Sequence, residues 1–325
     1  MTIDDGAAPT GDGPDPEAGG VGDDLAWPID FTARYGAGLR LGLSLGGGGV
    51  FFVAWQIAYL HELRAHGIEL DGADRVVGTS AGSLVASVLE ADHLSRIYRE
   101  LSVLAKVPKL IAALAPAGDL QPSQLRAVEL FRAAADAAPA TIREIGHAAL
   151  AAQAPAASVM ARNVGLLLGT RRWPSAQTHL TCVDAFTGER CVITKAARVG
   201  VGRAAAASSA VPGLFAPQPI GDRRCMDGGV SGTGLHLDVL AGSEKVVALA
   251  LSDGSDVRQP MMTSAPGSTE REIAALRASG SALFLRTPAA VDVAQLMDPA
   301  AVPEAIETGR HQAVADVDEL RTFLS

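Results

Sequence analysis

Apolar and polar positions change period several times along this chain. In LRLGLSL, residues 39–45, apolar side chains alternate as they do in a strand; after four glycines, VFFVAWQIAYLHEL is compact and helical in character. Gly67 follows that run where a helix C-terminal glycine would stand. DRVV then approaches a Gly-Thr-Ser-Ala-Gly turn, and SLVASVLEA beyond it reads as a second helix. Two strand–loop–helix units in succession predict a parallel, right-handed α/β sheet with helices on its faces. Both glycine-rich turns fall at carboxyl ends of strands, where such sheets bind ligands, so they are expected to face each other across one crevice.

From His93 to about Arg172 the chain is Ala-rich and is broken by Pro108, Pro116, Pro122, Pro139 and Pro155, a pattern of several short helices. This segment, 93–172, reads as a helical insertion or cap. It is either a lipid-facing lid or a set of helices packed round a core, and the pattern is the same for both. THLTCVDAFTGERCVIT predicts a hairpin turning at Thr187-Gly188. Residues 204–232 predict a helix, a Pro-Gly break, a small hairpin around Gly221-Asp222, and Asp227 followed by two glycines. KVVALALS reads as a buried strand, and Thr269 with Glu272 has capping-box spacing at the start of another helix.

Composition bounds the function. A chain of 325 residues that is 48% hydrophobic can bury a full core. The formal charge of −9 is concentrated before Arg34, where eight acidic residues occur with no Lys or Arg, which leaves −1 for the rest. That balance excludes the clustered basic footprint of a nucleic-acid binder. Residues 1–36 are expected to be a flexible acidic tail rich in Gly, Pro and Ala, lacking the basic start and apolar stretch of a secretory signal, and 37–325 the folded domain. Leu41 to Leu60 has no charge and about the length of a membrane span, but its four glycines favour strand, turn and helix. Cys182, Cys191 and Cys225 lack CxxC spacing and are expected to be reduced thiols in a cytoplasmic-type compartment.

The chemistry concentrates in three places. In Gly-Thr-Ser-Ala-Gly, the glycines two before and two after Ser80 permit a sharp strand-to-helix turn that leaves a hydroxyl exposed. Ser80 is therefore a candidate nucleophile, with helix capping as the competing role. Gly46 to Gly49 present backbone N–H groups suited to an oxyanion, unless they serve only close packing of helix on strand. A dinucleotide loop fits poorly, because the G-x-G-x-x-G frame from Gly47 ends on Phe52. Asp227, ahead of Gly228-Gly229, is either a base for the serine or an ordinary Asp-Gly turn. A Ser–Asp–His order would need His236 or His311, and neither lies in a motif. His61 and His66 are five apart and point to different helix faces, so no metal site follows.

LSLGGGGVFFVAWQIAYL, GTSAGS and SSAVPGLFAPQPIGDRRCMDGGV, in this order, together resemble the patatin-like phospholipases over about residues 39–232. The resemblance implies a three-layer α/β fold with a mainly parallel central sheet, helices on both faces and a helical cap. It implies a Ser-Asp dyad of Ser80 and Asp227, an oxyanion hole from the amides of Gly47, Gly48 and Gly49, and hydrolysis of lipid acyl esters through an acyl-serine, without metal or cofactor. Phe51 and Phe52 stand where the family loop commonly has a basic residue and a glycine, so altered substrate binding is expected. The competing expectation is a lipid-binding or scaffold protein that keeps the fold without the activity. Membrane contact, if made, is expected to be peripheral, through cap residues such as Leu110, Ile111 and Leu114. The sequence sets no oligomeric state.

Overall fold

The computed structural model describes residues 30–104, 119–253, 267–289 and 295–325, together with a two-residue strand at Leu25–Ala26. Strands β1 (Leu25–Ala26), β2 (Leu41–Leu45), β3 (Arg75–Gly78), β4 (Thr178–Asp184), β5 (Arg190–Ile193), β6 (Gln218–Ile220), β7 (Arg223–Asp227), β8 (Lys245–Leu249) and β9 (Ala282–Arg286) form one sheet. Its main path runs β1-β5-β4-β3-β2-β8-β9, with β7 joined to β4 and β6 to β7. The five central strands from β4 to β9 are parallel, and β5, β7, β6 and β1 add antiparallel pairs at one side.

Helices α1 (Gly49–Ala65), α2 (Ala81–Glu90), α3 (Leu94–Leu104), α4 (Pro122–Ala133), α5 (Pro139–Ala151), α6 (Ala157–Leu168), α7 (Val201–Ser208), α8 (Ser268–Ala278) and α9 (Val302–Leu324) cover the sheet. Successive strand residues alternate between its faces, as the period of two requires. Leu43, Leu45, Val76, Val247 and Leu249 join a core with α1, α2, α3, α6, α7 and α9, whereas Val77, Val246 and Ala248 pack with residues 235–241 and α8. This is an α/β fold of three layers. α1 is apolar on nearly all sides because it is enclosed, and its Trp55 and Tyr59 reach across to α9 by hydrogen bonds to Gln312 and Asp316 at 2.8 and 2.7 Å.

β2 forms where its alternation predicts and is central, enclosed on both faces; its polar Ser44 is satisfied by donating to the Leu235 carbonyl at 2.7 Å. One expectation changes. α8 forms, but without the expected capping box: its N-cap is Gly267, and Glu272 turns inward to accept from Thr233 Oγ1 and from Leu237 N–H. A buried partner outside the helix wins the carboxylate that local spacing assigned to the cap.

In the 93–172 segment, Pro122 and Pro139 open α4 and α5 at positions where a missing N–H costs nothing. Phe131, Ile142 and Ile145 of this helix pair pack on Val183, Met226 and Val230, so α4 and α5 cover the part of the sheet that carries Asp227. Leu110, Ile111 and Leu114 lie outside the described residues, as does most of the 1–36 tail. Within that tail, β1 pairs with β5, and Gly36 N–H donates to the Ala241 carbonyl.

Candidate active site

The register of β4 explains how two distant sequence motifs meet. β5 occupies one edge of β4 from Leu180 to Val183, so β3 and β7 must share the other. β3 runs parallel to β4 and ends with Gly78 opposite Leu180; β7 runs antiparallel and ends with Asp227 opposite Cys182. The two strands therefore converge on Thr181. Its hydroxyl lies 2.8 Å from that of Thr79, and a Cβ on Gly228 would come within 2.5 Å of the same oxygen. Ser80 follows one strand end and Asp227 closes the other.

Ser80 has φ 52° and ψ −118°, a conformation rare for any residue with a side chain. Such backbone costs about 1–3 kcal/mol and persists only where neighbours hold it. Here the neighbours are hydroxyls. Ser80 N–H donates to Ser208 Oγ at 2.9 Å, and the Ser80 carbonyl accepts from Ser83 Oγ at 2.6 Å and Ser209 Oγ at 3.0 Å. The Ser80 side chain makes no capping bond to α2, so helix capping does not account for it. A Cβ on Gly82 would run into the Leu45 carbonyl, which is why the turn into α2 needs glycine there.

Asp227 is both a turn residue and a charge held in reserve. Its Oδ1 accepts from Gly229 N–H at 2.8 Å, while its buried Oδ2 has no completed hydrogen bond among the described residues. Burial pushes its pKa up to about 6, opposed by the neighbouring Ser80 hydroxyl and by the Gly229 amide. The Ser80 hydroxyl and the Asp227 carboxyl are thus brought together. A carboxylate with this pKa is ionised at neutral pH and is a stronger base than an exposed one.

The glycine loop divides its roles. Gly47 lies against the serine: a Cβ there would stand 3.2 Å from Ser80 Cβ. Gly46 ties the loop to its neighbours, donating to the Leu249 carbonyl and accepting from Gly82 N–H and Gln56 Nε2. Gly48 is the N-cap of α1, so the amides at this point belong to the electropositive end of a helix. Gly49 has φ +70°, and a Cβ there would meet the Leu296 carbonyl at 2.4 Å, so a side chain is excluded at that position. Phe51 and Phe52 are buried in the core, with Phe52 stacked on Trp55 at 5.2 Å between ring centroids.

Among the described residues no histidine hydrogen bond reaches Ser80 or Asp227, although His236 lies against the backbone of Gly228. His236 is buried beside Arg190, whose Nη1 lies 3.2 Å from His236 Nδ1. Burial, then the Arg190 charge, hold its pKa well below the ordinary range, so the ring is neutral. His311 is exposed on α9 near Glu307.

Residues 43–238 match the family model for the patatin-like phospholipases, a match that covers more than half of the chain. The chain belongs to the patatin-like phospholipase family. A search of curated proteins gave no significant match. Among solved structures, the type III effector protein ExoU aligns with 85% of this chain and 53% of its own, at 17% identity and a TM-score of 0.30. This chain therefore spans about half the length of that protein. Within this family member, the clamp of Ser83, Ser208 and Ser209 was not assigned from sequence; the Ser-Ser pair in AAAASSAVPG was the available signal.

Proposed function

We propose that the chain is a serine acyl hydrolase acting on lipid esters, with Ser80 as nucleophile and Asp227 as its general base. The observation that carries this reading is the strained Ser80 backbone facing a buried carboxylate oxygen that has no completed hydrogen bond. In the reaction, Asp227 Oδ2 takes the Ser80 proton as Oγ attacks the ester carbonyl. The amides of Gly47, Gly48 and Gly49 donate to the oxyanion, with Gly47 nearest the serine. The alcohol leaves with the proton held by Asp227. Water, activated by the same carboxylate, then releases the fatty acid from the acyl-serine.

No helix among the described residues is long and apolar enough to cross a membrane. Lipid substrate is reached, in this reading, by peripheral contact. The test is incubation of the full chain with phosphatidylcholine vesicles and mass spectrometry of the products. Free fatty acid that appears with the unmodified protein and not with Ser80→Ala is the expected outcome. Equal release by both proteins would overturn the assignment.

A further inference from the structure

Cys182, Cys191 and Cys225 lie far apart in sequence and carry no metal-binding spacing, yet β4, β5 and β7 bring them together. Cys182 and Cys191 are opposite each other in the β4–β5 ladder, and Cys225 enters from β7 on the other edge of β4. All three are completely buried, and their sulfur atoms lie within 4.8 Å of one another. No disulfide joins them. Among the described residues, no histidine or carboxylate adds a fourth ligand atom to the group.

The geometry points to a buried binding site for a soft, thiophilic ion of the Cu(I) class, held by these three sulfurs. An ion with metal–sulfur bonds of about 2.3 Å, as zinc makes, needs trigonal sulfurs about 4 Å apart, so a small closure of the present arrangement suffices. Donor chemistry selects among ions. Thiolate alone favours Cu(I), Zn(II) or iron–sulfur chemistry over hard cations. Zinc takes four protein ligands in structural sites, or three and a water in catalytic ones, whereas this site offers three sulfurs and is sealed from solvent. Cu(I) accepts three sulfurs without a water.

Binding releases the thiol protons as each sulfur joins the ion. The ion would tie together the three strands that meet at the end of β7.

The experiment presents Cu(I), buffered by a chromogenic chelator, to the reduced full chain without oxygen, with Zn(II) in a parallel arm. One Cu(I) per chain, a copper X-ray absorption shell of three sulfurs, and a raised unfolding temperature are expected. Cys191→Ala and Cys225→Ala should each weaken Cu(I) affinity at least about a hundredfold, at or beyond the upper end of outer-shell effects. The absorption shell needs no variant and so stands even if a substitution impairs folding. No copper uptake, a nitrogen or oxygen shell, or affinity unchanged in the cysteine variants would overturn the site. Zn(II) bound through sulfur with Cu(I) refused would overturn its assignment to the Cu(I) class.

Discussion

Asp227 pairs across the β4–β7 ladder with Cys182, two positions beyond Leu180, where β3 ends. Two strands that approach head to head along one edge leave a gap of a single residue, Thr181, and the candidate nucleophile and base flank it. Gly228 fits there because it has no side chain; a methyl group would meet both Oγ1 and the carbonyl of Thr181. Gly228→Ala is expected to cost about 1–3 kcal/mol of stability, as overpacking does, and to move Asp227 away from Ser80. Chemical unfolding measures the first effect and p-nitrophenyl ester hydrolysis the second. A stable variant with unchanged kcat would show that this convergence does not position the base.

The Ser208 hydroxyl accepts the Ser80 amide proton, and no other group among the described residues does so. Ser208→Ala strands a buried N–H at a cost of about 1–3 kcal/mol and loosens the strained turn. It should lower kcat more than it raises KM. Ser209→Ala should do less, because Ser83 also donates to the Ser80 carbonyl. Steady-state kinetics of the two variants check the order.

Much of this was legible in sequence because it is local. The period of two before the glycines, the apolar run after them and the spacing of glycines about Ser80 each depend on neighbours in the chain, and β2, α1, β3 and α2 form accordingly. The meeting of Ser80 with Asp227 is not local. It depends on the register of β4 against β3 and β7, which no stretch of either motif encodes, and the family resemblance supplied it. The cysteine cluster had no such help, since its three members come from three strands. Glu272 misled for the opposite reason: its spacing from Thr269 fits a cap, but a buried hydroxyl and amide from residues 233–237 offered better partners.

Gly47 stands closest to the serine in the glycine loop. Gly47→Ala places a methyl group 3.2 Å from Ser80 Cβ, where reacting substrate must also fit. A fall in kcat of about a hundredfold is expected, comparable to loss of one oxyanion donor, with little change in unfolding temperature. Activity equal to that of the unmodified protein would remove Gly47 from the oxyanion site.

Glu272 provides a pH dependence of stability. Burial, opposed by its bonds to Thr233 and Leu237, raises its pKa from 4.5 to about 7. The folded state therefore keeps a proton that the unfolded chain gives up. This contribution is fully present below pH 4.5 and is lost as pH rises through about 7. Glu272→Gln should flatten the fall in unfolding free energy across that window. Denaturant titrations at several pH values measure it, and parallel curves for both proteins would reject the role.

The most direct measurement is covalent. A fluorophosphonate probe reacts with an activated serine hydroxyl and reports the modified residue by peptide mass spectrometry. The account predicts one adduct, on the peptide containing Ser80, slowed at least about a thousandfold in Asp227→Asn and absent in Ser80→Ala. An unlabelled folded protein, or an adduct on another serine that survives Ser80→Ala, would contradict it.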